Sequence, residues 1–176
     1  MGDNTIRLFF ALWPDSAARS QLVEIGREFS ALPGRFNHAD DLHMTLVFLG
    51  PVAEERMECI LAAAERVPLQ NFSLSLDLVA SWRKPNILWC GPSLTSPSLL
   101  TQLVADLKKE LLECGFTPEK RCYKPHVTLV RKAPPVNTRM LSRPVHWPID
   151  GFVLAASGGK GVGPRYRILK KWAADS

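Results

Sequence analysis

Two stretches of the chain repeat one pattern of chemistry-bearing side chains: His43-Met44-Thr45-Leu46-Val47 and His126-Val127-Thr128-Leu129-Val130. Both read H-x-T-L-V. On a strand, residues i and i+2 share a face. Each copy therefore presents an imidazole and a hydroxyl side by side, while Met44 and Val127 point the other way, into a core. An imidazole, with an unperturbed pKa of about 6.5, accepts a proton when neutral and donates one when charged. Two such pairs facing one another can open a phosphodiester by in-line displacement. One ring takes the proton of the entering water and the other protonates the leaving sugar oxygen. The threonine hydroxyls can donate to the non-bridging phosphoryl oxygens, where charge builds in the transition state. A strained five-membered cyclic phosphate needs no covalent protein intermediate. Positioning plus acid–base help, worth roughly 10²–10⁴-fold per proton transfer, is sufficient.

A single H-x-T is weak, because a lone histidine on a strand is usually structural. Its recurrence in each half, followed both times by Leu-Val, favours the catalytic reading. Metal ligation by the two histidines competes poorly. Neither copy has an Asp, Glu or Cys at ligand spacing on the same face, and Asp40 and Asp41 fall in the preceding loop, as caps or solvated charges. No metal and no cofactor are expected. The histidines stand 126 − 43 = 83 positions apart, so only the fold can bring them together.

The elements that must do so follow from the hydrophobic pattern. Ile6 to Trp13 reads as a buried strand, and Asp15 or Ser16 caps a helix over Ala17 to Ser30. The strand from His43 stops at Gly50-Pro51, and a helix fits Glu54 to Arg66. Phe72 to Leu78 alternates, with Phe72, Leu74, Leu76 and Leu78 on one face. Ile87 to Cys90 is a short strand, and Pro97 to Cys114 an amphipathic helix closed by Gly115. The strand His126 to Arg131 follows. A final hairpin pairs Ile149–Ser157 with Tyr166–Trp172 through the turn Gly158-Gly159-Lys160-Gly161. The order strand, helix, loop, motif strand occurs twice. It implies an α+β fold in one bilobal domain over residues 1–176: two lobes related by a pseudo-two-fold, antiparallel sheets lining a central cleft, helices outside.

With these residues in view, the chain resembles the 2H phosphoesterase superfamily, named for two H-x-T/S motifs, and most of all the bacterial LigT-type RNA 2′,3′-cyclic phosphodiesterases, also called 2′-5′ RNA ligases. The resemblance runs through Phe9-Phe10-Ala11-Leu12, His43 to Gly50, Lys124 to Arg131 and Gly163-Pro164-Arg165-Tyr166. It implies hydrolysis of RNA 2′,3′-cyclic phosphate ends to 2′-phosphates, and the reverse joining of RNA halves, such as tRNA halves, through a 2′-5′ linkage. It also implies His43 as proton donor and His126 as proton acceptor, with Thr45 and Thr128 holding the phosphate. Spacing alone does not decide which histidine plays which part.

Other residues rank lower. Arg131 lies three positions past Thr128, so strict alternation turns it away unless a bulge turns it back; its functional role would be phosphate contact. Phe48, by the same parity, packs in the core, although it remains a possible substrate contact. Phe9 and Trp82 could stack on a terminal base, although core packing is the commoner role for such aromatics. His38 and His146 lack a threonine partner and are bystanders. Arg35, Lys120, Arg121, Lys124, Arg131, Lys132 and Arg139 cluster in sequence around the motifs and could rim the cleft.

The bulk numbers agree. At 176 residues, 46% hydrophobic, the chain can bury a proper core, and a net charge of +5 suits a polyanionic partner. Cys59, Cys90, Cys114 and Cys122 are scattered, so neither a disulfide framework nor a cysteine zinc site is expected. With no signal peptide or membrane span in the pattern, a cytoplasmic monomer is expected. Two alternatives remain: a phosphodiesterase for small cyclic phosphates, such as a nucleotide or ADP-ribose cyclic phosphate, or a module that grips RNA ends without turnover.

Overall fold

The computed structural model describes residues 5–94, 97–117, 119–158 and 163–174. Among them nine strands form one antiparallel sheet. They are β1 Thr5–Leu12, β2 Arg35–Phe36, β3 Met44–Ala53, β4 Phe72–Trp82, β5 Ile87–Gly91, β6 Val127–Arg131, β7 Arg139–Ile149, β8 Gly151–Ser157 and β9 Tyr166–Ala173. The strand order is β7-β4-β5-β6-β3-β1-β8-β9, with β2 paired to the free end of β6. The class is α+β, as expected. The two expected sheets are instead halves of one hydrogen-bonded path, joined between β3 and β6 by the single pair Met44↔Val127. The halves correspond strand for strand about that joint: β6 with β3, β5 with β1, β4 with β8, β7 with β9.

Three α-helices among the described residues complete the fold: α1 Ser16–Arg27, α2 Met57–Glu65 and α3 Ser98–Leu111. Asp15 caps α1, its carboxylate accepting from the Ala18 N–H at 2.7 Å. Leu22 and Ile25 bury the inner face of α1, and Leu100, Leu103, Val104, Leu107 and Leu111 that of α3. The packing is crossed: α1, which follows β1, lies on β6 and β7, while α3, which follows β5, lies on β3. Each half is therefore covered by a helix from the other, which ties the halves together beyond their one-pair joint. No helix among the described residues is long and apolar enough to cross a membrane.

Four expectations need correction. The strand from His43 runs through Gly50-Pro51 to Ala53, with Gly50 at φ +74° accommodating a register shift. Between Leu76 and Leu78 the pairing of β4 with β7 shifts register, with the extra residues in β7, and beyond the shift Val79 is buried and Leu78 only half-buried. Strand β7 has no counterpart in the sequence reading, because Pro144 and Pro148 argue against a strand. It is an edge strand, where proline is tolerated, and Val145, Trp147 and Ile149 still alternate inward. Finally, Cys59 and Cys114 are joined in a disulfide that clips α2 to the end of α3; scattered spacing in sequence says nothing about which helices meet. The turn residues Gly159, Lys160 and Gly161 lie outside the described residues.

Candidate active site

The pair Met44↔Val127 lies at the middle of both H-x-T motifs. Extending its antiparallel register by one residue each way sets His43 opposite Thr128, and Thr45 opposite His126. All four side chains share the face that Met44 and Val127, both fully buried, do not use. Opposed Cβ atoms in such a pair lie about 4.5–5.5 Å apart and diagonal ones about 7–8 Å. The two imidazoles occupy one diagonal and the two hydroxyls the other, on one face of the joint.

Both rings are held in the same way. His43 Nδ1 lies 2.6 Å from the Asp41 carbonyl oxygen, and His126 Nδ1 lies 2.8 Å from that of Lys124. A carbonyl can only accept, so Nδ1 carries the proton and donates in each case. Nε2 is left in both rings as the nitrogen free to exchange a proton. Aromatic side chains enclose the rings. Trp13 stacks on His43 at 5.1 Å, and Phe9 and Tyr166 lie 4.9 Å away on other sides. Trp82 meets His126 edge-on at 4.6 Å. The enclosure has an electrostatic result. Burial, with the nearby Arg131 guanidinium adding to it, lowers the His43 pKa to about 4, and the same two causes lower that of His126.

The bulge that the sequence left open is present twice. Between Ala11↔Thr45 and Phe10↔Val47, and again between Trp89↔Thr128 and Leu88↔Val130, β3 and β6 each carry one extra residue. That residue is Leu46 in one strand and Leu129 in the other. The third residue after each threonine is thereby turned onto the threonine's face. In β6 that residue is Arg131, which lines a cavity with His43 and Thr45. In β3 it is Phe48. The expectation that Phe48 packs in the core is therefore wrong; the ring is 54% exposed. The carbonyls at the two bulges are captured by side chains across the joint. Asn37 Nδ2 donates to the Thr128 oxygen at 2.7 Å, and the Tyr123 hydroxyl donates to the Thr45 oxygen at 2.9 Å. The segment leading into each motif thus braces the other.

Asp41 also departs from its solvated expectation. It is 2% exposed, and its carboxylate accepts from the backbone N–H groups of Arg165 (2.9 Å) and Tyr166 (3.1 Å). One residue thus fixes the His43 ring through its carbonyl and brings Tyr166 against that ring through its carboxylate. Gly91 gives His126 a comparable closeness: a Cβ there would lie 2.8 Å from the Pro125 oxygen.

Two cavities flank the pair and meet at Thr45 and Phe48. One, about 850 Å³, borders His126 and Trp82 and carries Lys84, Arg121 and Lys124. The other, about 410 Å³, borders His43, Phe9 and Tyr166 and is rich in arginine. Thr45 borders both; Thr128, 9% exposed, borders neither. Phe9, 3% exposed, is foremost a wall for His43 rather than an open stacking surface. Of the expected basic rim, Arg35, Arg121, Lys124 and Arg131 line a cavity, whereas Arg139 pairs with Glu28. Lys120 and Lys132 are exposed and line neither cavity. His38 accepts from the Asp40 N–H in a short turn, and His146 is exposed on β7, away from the site. Trp13, Tyr166, Asp41, Asn37 and Tyr123 were not found from sequence; only their closeness to the motifs, for Asp41, Asn37 and Tyr123, could have suggested them.

A family model described as the 2′-5′ RNA ligase superfamily matches residues 13–161. The chain belongs to that superfamily. Within the 2′-5′ RNA ligase superfamily it is 33% identical over 171 residues to the RNA 2′,3′-cyclic phosphodiesterase of Escherichia coli K12, covering 95% of this chain and 96% of the relative. It is 30% identical over 180 residues to the enzyme of that name from Thermus thermophilus, covering 96% and 90%. Among superfamily structures, E. coli LigT complexed with 3′-AMP superposes with a TM-score of 0.88 at 30% identity, covering 98% of this chain and all of that one.

Proposed function

We propose that this protein hydrolyses RNA 2′,3′-cyclic phosphate ends to 2′-phosphomonoesters by histidine acid–base catalysis. The observation that carries the reading is the one-pair joint. It sets two imidazoles, each with Nδ1 engaged by a carbonyl and Nε2 left over, on one diagonal and two hydroxyls on the other. In the reaction, water attacks phosphorus as the bond to O3′ breaks. His126 Nε2 takes the proton of the water, and His43 Nε2–H gives its proton to O3′. Thr45 and Thr128 donate to the non-bridging oxygens, and Arg131 adds fixed positive charge where the phosphorane charge develops. Phe48 offers an exposed ring to a terminal base.

The donor and acceptor parts rest on the resemblance to the family. In the free protein burial keeps both rings neutral, which suits the acceptor at once. The donor becomes charged only when an anion enters beside it. Replacing water by the 5′-hydroxyl of another RNA gives 2′-5′ joining, and tRNA halves are substrates of the right chemistry. The protein acts as a monomer in the cytoplasm in this reading, and residues 1–176 form one domain.

The test is an RNA ending in a 2′,3′-cyclic phosphate, incubated with the protein and a chelator. A 2′-phosphate product is expected, and His43→Ala and His126→Ala should each abolish its formation. A 3′-phosphate product, or near-wild-type turnover by either variant, would overturn the reading.

A further inference from the structure

We propose that the cavity on the His43 side binds a second phosphate of the same RNA strand, the one esterified to the 5′ oxygen of the nucleotide that carries the cyclic phosphate. The inference rests on the ring-opening reaction of the preceding subsection. Arg7, Arg35, Arg131 and Arg165 line this cavity of about 410 Å³ together with His43, and no carboxylate among the described residues lines it. Among the described residues, the ion pairs of arginine and lysine go to Arg19, Arg66, Arg139 and Lys170, and none of the four guanidiniums in the cavity pairs with a described carboxylate. The buried acid close by, Asp41, is occupied by the backbone N–H groups of Arg165 and Tyr166.

The register adds an independent observation. Strand β2 places Arg35 directly opposite Arg131 on β6. Like charges in that relation destabilise a sheet unless an anion lies between them. Arg7 is fixed over the Phe48 ring at 5.1 Å, which orients its guanidinium without cancelling its charge. A cyclic phosphate brings a single negative charge, fewer than the four positive charges gathered here. A guanidinium fork matches phosphate oxygens in pairs, so a second phosphate is the complementary ligand. Its source follows from direction. His43 protonates O3′, so the ribose stands on the His43 side, and its C5′ and 5′-phosphate extend from there into the arginine cavity.

The experiment compares kcat/KM for adenosine 2′,3′-cyclic phosphate with that for the same nucleotide bearing a 5′-phosphate. The phosphorylated substrate should be favoured by at least about tenfold, the effect of one charge-assisted hydrogen bond. In Arg35→Gln and Arg165→Gln that ratio should fall toward one. Arg35→Gln, which removes one of two opposed charges, should not lower the melting temperature. Equal kcat/KM for the two substrates in the wild type overturns the proposal while leaving ring opening intact. So does a rate gain that appears only when a separate 5′-hydroxyl oligonucleotide is supplied, since the cavity would then serve a second strand. Turnover of neither substrate, nor of a cyclic-phosphate RNA, overturns the underlying function instead.

Discussion

An anion bound in the cleft should restore the proton that burial takes from His43. In the free protein the ring titrates at about 4, so at pH 7 roughly one molecule in a thousand carries the charge a donor needs. A tetrahedral anion about 4 Å from the ring, at an effective dielectric near 20, attracts the imidazolium by about 4 kcal/mol per unit charge. That is about three factors of ten in the protonation equilibrium per unit charge, so a single effective charge is enough to return the midpoint to about 7 and the sulfate dianion to at least that. Sulfate is a suitable probe because it does not itself titrate in this range. The Cε1–H resonance of His43, identified by its loss in His43→Ala, should be followed against pH with and without saturating sulfate. Linkage requires the converse, that sulfate bind more tightly as pH falls from 7 toward 4. In kinetics, the bell for kcat should lie at higher pH than that for kcat/KM, because the first reports the complex and the second the free protein. A His43 midpoint still near 4 under saturating sulfate would refute the donor role, for the ring would not be facing the anion.

Thr45→Val keeps the shape of the side chain and removes the hydroxyl that borders both cavities; kcat should fall about 10²-fold or more with the melting temperature nearly unchanged, measured by steady-state kinetics and thermal unfolding. Tyr123→Phe and Asn37→Ala each release a bulge carbonyl, so each should cost about 1–2 kcal/mol in urea unfolding and lower kcat more than it changes KM. Stability should fall on acidification, because between about 4 and 6.5 the unfolded chain binds a proton that folded His43 refuses. Full stability is thus present above 6.5 and is lost as pH falls toward 4. Allowing for partial exposure of the ring, the loss by pH 5 is about 1–2 kcal/mol, and urea unfolding of the wild type against His43→Gln at pH 7 and pH 5 reads it directly.

The grouping of His43, Thr45, His126 and Thr128 was legible in the sequence because it depends on two rules that hold locally. Alternation puts His and Thr on one face, and a repeated order of elements gives each copy an equivalent place. What was not legible depends on register. The bulges at Leu46 and Leu129 are set by pairing with β1 and β5, and without them parity turns Arg131 and Phe48 the wrong way. Strand β7 was hidden by prolines that only an edge position excuses. Asp41 reads as a loop charge until the start of β9 is brought to it, and Trp13 and Tyr166 as ordinary aromatics until they surround a ring. The pairing of Cys59 with Cys114 required knowing that α2 and the end of α3 meet.

A cleft assembled twice from one pattern is nearly its own mirror in function: rotated half a turn, it offers the same rings and the same hydroxyls. Left so, it would accept a ring-closed phosphate in two opposite orientations, with the two histidines exchanging parts. The third position beyond each threonine breaks that symmetry, being Phe48 in one strand and Arg131 in the other. Under the proposed function an aromatic plane would receive a base and a guanidinium an oxyanion, which would give the substrate one way round to lie. Under that proposal a single broken symmetry would set the direction of reading.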